Sequence, residues 1–135
     1  MPTRADASLL TTLKALRTDP ARVVDLYRQL HSSTLLALVE SGSETTPNSL
    51  SFLSYEGADG IRELPLFTRR EYNLAGMPPD AVLIEVSGPV IWSRLLEVVD
   101  WSTTQVAVDP GQPHGIRLTQ VMILGMVKTY ARASS

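Results

Sequence analysis

The chain is predicted to adopt an α+β fold, a mixed β-sheet of about five to six strands with helices packed on it, in the order ααβββαβαβα. Three observations predict it. Apolar residues recur at helical spacing near both ends, in Leu9, Leu10, Leu13 and Leu16 and again across Val121–Val127. Short apolar or alternating runs fill the middle, at Leu35–Val39, Ser49–Tyr55 and Thr104–Val108. The early runs are joined by polar turns, whereas the later ones are separated by helical stretches, so hairpins and crossovers share one sheet.

Each element follows in order. The first helix has Asp6 or Ser8 as its cap. Asp19-Pro20 opens the second, with Val23, Leu26, Tyr27 and Leu30 as its apolar stripe. Leu35–Val39 is apolar throughout and fits a central strand. The polar loop Glu40–Asn48 has nothing to bury. Ser49–Tyr55 nearly alternates and is expected to be a strand with one wetter face. Asp59-Gly60 then turns the chain into a strand at Arg62–Leu66, where Pro65 belongs at an edge or an end. Thr68 and Glu71 have capping-box spacing, predicting a short helix that stops near Gly76. Ala81–Val86 is a strand, and Ser87-Gly88-Pro89 starts a helix with the stripe Ile91, Leu95, Val98 and Val99. Thr104–Val108 ends at the turn Asp109-Pro110-Gly111. Ile116–Leu118 is a brief strand, and Thr119 caps a last helix running through Ala131.

At 135 residues, the chain is expected to form one domain, 1–135, with no internal repeat or linker. Apolar residues make up 44% and charged residues 19%, ordinary values for a globular protein. The absence of cysteine excludes disulfides and thiol chemistry and fits a reducing compartment. A net charge of -2 offers no basic surface for nucleic acid. The N-terminus lacks the apolar core of a signal peptide, and no apolar run reaches membrane-spanning length. A cytoplasmic protein with neither nucleic-acid nor membrane partners is the expectation.

Two blocks carry a resemblance. One is the hairpin and corner Gly60, Pro65-Leu66-Phe67-Thr68-Arg69; the other is Val106-Ala107-Val108-Asp109-Pro110-Gly111. With Tyr27, Leu30-His31-Ser32-Ser33 and the strand that follows, they resemble the N-terminal domain family of SseB proteins, across most of the chain. Arg69 stands where the family has Ser, and Asp109 where it has Asn. The resemblance implies this α+β fold and a binding role rather than an enzymatic one. The resemblance further implies a second, C-terminal domain in longer relatives, and no counterpart of it is expected within these 135 residues.

The candidate chemistry is sparse. His31 and His114 are the only imidazoles, and neither sits in a metal-ligand spacing, so no metal is expected. No Gly-x-Ser-x-Gly elbow or phosphate-binding Gly motif occurs, so no catalytic residue and no cofactor is assigned. His114 lies in Gln112-Pro113-His114-Gly115 and is expected to be a solvated loop histidine; the sharper alternative is a base beside Asp109. Thr68 is expected to serve as a helix cap and Asp109 as a turn residue.

Candidate partner-binding residues are Arg69, Arg70, Trp101, Met122, Met126 and Tyr130. Arg69 and Arg70 lie at a predicted helix start, where cations are mildly disfavoured. Trp101 ends a helix, where it either covers the core edge or anchors an interface. The last helix is apolar over most of its circumference, so it is either buried on several sides or meets another chain. The expected function is a non-enzymatic protein–protein interaction module, with a homodimer through the C-terminal helix as one form of it. Two alternatives remain: an immunity or adaptor protein for a secretion-system toxin, and a small enzyme using Asp109 and His114.

Overall fold

The computed structural model describes residues 4–16, 18–43, 50–56, 60–73 and 78–134. The first elements are α1 (Arg4–Ala15), a 3-10 turn (Pro20–Arg22), α2 (Val23–Ser32), β1 (Thr34–Glu40), β2 (Tyr55–Glu56) and β3 (Arg62–Phe67). After a second 3-10 turn (Arg70–Tyr72) come β4 (Ala81–Ser87), α3 (Gly88–Val98), β5 (Thr104–Val108), β6 (Ile116–Leu118) and α4 (Gln120–Ser134). The expected caps at Asp6 or Ser8, most of the polar loop 40–48, Asp59 and the helix stop at Gly76 lie outside the described residues or side chains.

The strands form one mixed sheet in the order β4-β1-β3-β5-β6, with β2 on β3. β1 is antiparallel to β4 and β3, β3 is parallel to β5, and β6 returns antiparallel on β5. The fold is therefore α+β. Leu35, Ala37 and Val39 of β1 alternate onto one face, as do Leu64 and Leu66 of β3 and Val106 and Val108 of β5. The helices cover that face with Leu9 and Leu13, Leu26 and Leu30, Ile91, Trp92 and Leu95, and Ile123 and Met126. Leu36, Leu38, Phe67 and Ala107 point to the opposite face and are also buried, which is why β1 reads as a continuous apolar run.

Two expected features differ. The strand at 49–55 is reduced to a single bridge, Phe52 with Val39, and to the pair of residues in β2. The cause lies in how β1 shares its inner edge. Only two residue pairs, Leu36 with Phe67 and Ala37 with Leu66, join β1 to β3. Farther along the same edge, Leu38 and Glu40 bond to Leu53 and Ser51 instead. The segment 50–53 thus occupies a widening gap between β1 and β3.

Pro65, in turn, lies inside a strand rather than at its end. Arg62 N–H and Leu66 C=O face the β5 side, donating to Thr103 O and accepting from Asp109 N–H. By alternation the Pro65 nitrogen faces the other edge, between the residues paired with β2 and those paired with β1. No ladder needs a donor there, so a proline costs nothing.

The helical layer is fixed by a close junction. The α3 N-terminus abuts the C-terminal turn of α2: Gly88 N–H donates to Ser33 O at 2.7 Å, and Trp92 Nε1–H donates to Leu30 O at 2.9 Å. The stripe of α3 is Ile91, Trp92 and Leu95, whereas Val98 is 46% exposed. Thr119 caps α4 as expected, its Oγ1 accepting from Met122 N–H at 3.2 Å.

His31, on the last turn of α2, is buried against the Tyr130 ring at 5.9 Å. Burial lowers its pKa from the ordinary value of 6.5, because desolvation opposes the imidazolium. The unfolded chain then binds the proton first, so this contribution to stability is complete above pH 6.5 and is lost as pH falls from there through the lowered folded value. Urea titrations at a series of pH values are expected to show stability falling on acidification through that window. The His31→Gln variant is expected to show a shallower fall; an unchanged slope would assign the loss to other groups.

Candidate functional site

Parallel β3 and β5 bring their C-terminal ends together, with Leu66 beside Val108. The next residues, Thr68 and Asp109, therefore emerge side by side although 41 positions apart in sequence. Asp109 N–H donates to Leu66 O at 2.8 Å, continuing the ladder by one bond. The backbone then turns at φ +51, a left-handed conformation that Asp tolerates better than most residues.

The turn buries the Asp109 side chain completely, at 0% exposure. Its Oδ1 accepts from Thr68 N–H at 2.8 Å, and Oδ2 accepts from the Thr68 hydroxyl at 2.6 Å. Oδ2 also lies 2.7 Å from His114 Nε2. The carboxylate has nothing to donate, so a neutral His114 carries its proton on Nε2. Its Nδ1 has no hydrogen-bond partner among the described residues.

The loop that returns His114 is two successive turns. Asp109 O accepts from Gln112 N–H at 3.2 Å, with Pro110 and Gly111 between them and Gly111 at φ +85, the pattern of a type II turn. Gln112 O then accepts from Gly115 N–H at 2.9 Å. A Cβ on Gly115 would overlap Asp109 O, so the second turn closes over the first only with glycine here.

Above the imidazole, Tyr72 packs its ring at 5.3 Å and 57°. A cavity of about 420 Å³ opens beside them, lined among the described residues by Lys14 of α1, Tyr72, Gln112, Pro113 and His114. A second recess of about 440 Å³ shares Gln112 and is bordered by Glu63 and Arg117, which pair at 3.7 Å.

Two expectations are thereby corrected. His114 is not a solvated loop residue: it is 5% exposed and held by Asp109, because the double turn folds it inward. Thr68 is not a helix cap. Its hydroxyl is given to Asp109, and only the three-residue 3-10 turn Arg70–Tyr72 follows, with Arg69 at its cap position and no side-chain cap bond. The corner thus brings Thr68, Asp109 and His114 together around one carboxylate. The hydroxyl addresses that carboxylate rather than the imidazole, so the arrangement fixes a ring and a corner without pairing a base to a nucleophile. Among the described residues, no group of three His, Asp or Glu converges as a metal site.

The six candidate partner-binding residues do not form one constellation. Arg69 is exposed and pairs with Glu71 at 3.7 Å. Arg70 donates to Leu83 O of β4 at 3.3 Å, and the expected conflict with a helix dipole does not arise beside so short a turn. Trp101 is half-buried against the core, with its Nε1 enclosed and unpartnered among the described residues. Met126 is 3% exposed and belongs to the core, which removes it from any free surface. Met122 and Tyr130 are partly buried against that core. The outward side of α4 instead presents Val121 at 79% exposure and Leu124 at 40%. The sequence carried this signal, since these two lie three residues apart, on the side of the helix away from Ile123 and Met126.

The family model for the SseB protein N-terminal domain matches residues 8–124. No curated protein and no solved structure matches the chain. The matched span takes in both strand ends and the whole Thr68–Asp109–His114 corner, and the chain belongs to the SseB protein N-terminal domain family.

Proposed function

We propose that the chain is a non-enzymatic protein-interaction domain that docks another protein along the outward side of α4. The observation that carries this is the exposure of Val121 and Leu124 on a helix whose opposite side is already committed to the core. A helix needs only one apolar stripe to fold onto a sheet, so a second one costs solubility unless something covers it. The corner at Asp109 supports the same conclusion, because the Thr68 hydroxyl and amide and the Nε2 of His114 are spent on one carboxylate, which leaves no hydroxyl paired to a base.

Pairing Val121→Glu with Leu124→Glu tests the proposal. Both positions face outward, so circular dichroism and thermal unfolding are expected to stay close to those of the parent. Light scattering and affinity capture from the native host are expected to show an assembly, homodimeric or with another protein, that the double variant loses. A parent that is monomeric and captures the same proteins as the double variant would overturn the proposal.

A further inference from the structure

We propose that the cavity beside His114 binds a small carboxylate whose body is planar and apolar and which bears a hydroxyl-type donor. This goes beyond the interaction proposal and does not depend on it, since among the described residues the cavity is lined from α1, the turn after β3 and the loop after β5, and by none of α4.

Four properties of the lining specify that chemistry. Lys14 brings a cation with no ion-pair partner among the described residues, while the chain as a whole carries a net charge of -2. An ammonium at the rim of the cavity favours an anionic group on the ligand. Tyr72 and Pro113 supply apolar walls against which a flat body stacks. His114 supplies its second ring nitrogen, Nδ1. Its Nε2–H is spent on Asp109 at 2.7 Å, which leaves Nδ1 of the neutral ring as an acceptor, matched by a ligand hydroxyl. Gln112 adds an amide able to donate or accept.

The volume, about 420 Å³, lies in the range of small-molecule sites. The imidazole is held by Asp109, which is itself held by the Thr68 amide and hydroxyl, so the acceptor is pre-positioned and little ordering is left for binding to supply.

The chain has only two histidines, and His31 does not line the cavity, so the experiment carries its own reference. Imidazole nitrogen resonances of the full chain are followed while 4-hydroxybenzoate, benzoate or inorganic phosphate is added. The hydroxylated carboxylate is expected to shift His114 saturably and leave His31 in place, benzoate to bind more weakly, and phosphate weakest of the three. Lys14 is exposed, so Lys14→Ala is expected to keep the fold and weaken 4-hydroxybenzoate about tenfold or more. No saturable His114 shift up to about 10 mM would overturn the proposal, as would equal binding by Lys14→Ala. Equal affinity for phosphate and 4-hydroxybenzoate would also overturn it, because a bare anion site would then suffice.

Discussion

Replacing Asp109 with Ala is expected to lower the unfolding free energy by about 3–5 kcal/mol, a large share of the roughly 5–15 kcal/mol typical of a domain. The carboxylate is fully buried and serves three donors: the Thr68 amide, the Thr68 hydroxyl and the His114 imidazole. Truncation strands each of them, and an unsatisfied buried donor costs about 1–3 kcal/mol. Alanine would also sit at φ +51, where its Cβ crowds the following carbonyl. Asn keeps the tolerance for that backbone and one acceptor for the Thr68 amide. Its amide group can donate to the Thr68 hydroxyl, which turns to accept, and to His114 in its other tautomer. Asp109→Asn is therefore expected to cost only about 1–2 kcal/mol. Urea unfolding followed by the fluorescence of Trp92 and Trp101 measures both. Equal losses for Ala and Asn would mean that packing, and not the bonding of the corner, carries the effect.

Gly88→Ala is expected to be of comparable size, about 3 kcal/mol, for a different reason. A Cβ at Gly88 would come within 2.6 Å of Leu30 O and closer still to His31 O. Both are backbone atoms of the last turn of α2, so no side chain can swing away. Relief requires α3 to move off α2, which stretches the bonds from Gly88 N–H to Ser33 O and from Trp92 Nε1–H to Leu30 O. The second bond matters because Trp92 is fully buried, and a displaced indole N–H would be left without an acceptor. A neighbouring substitution, Pro89→Ala, separates the effects: it leaves the contact alone and is expected to cost under about 1 kcal/mol, through the unfolded chain. Equal losses for the two variants, measured by chemical denaturation, would sink the steric account.

These two junctions show what the sequence discloses and what it withholds. Patterns confined to one element were legible. The apolar run of β1 marked a strand flanked on both sides, and Ser87-Gly88-Pro89 marked the entry to α3. Thr119 marked the start of α4. The segment 49–55 misled because its alternation says nothing of what edge remains to pair with, and β3 takes part of the β1 edge first.

The corner was half legible. Thr68 and Asp109 stood out as punctuation, and each does turn the chain. Their contact was not visible, because it depends on the parallel register of β3 and β5 across 41 residues. Local rules gave the Thr68 hydroxyl to a helix that is only a 3-10 turn and left His114 to solvent. For α4, composition announced more apolar surface than one stripe needs. Only the packing could divide Met126, which is core, from Val121 and Leu124, which face outward.

The narrow join between β1 and β3 has a mechanical consequence. Seven residue pairs bind β1 to β4 and five bind β3 to β5, but just two cross between these halves. Both crossing pairs lie immediately before Thr68, whose bonds to Asp109 tie the end of β3 to β5 and not to β1. The two halves are therefore held together less by their shared ladder than by the one apolar core that spans them beneath the helices.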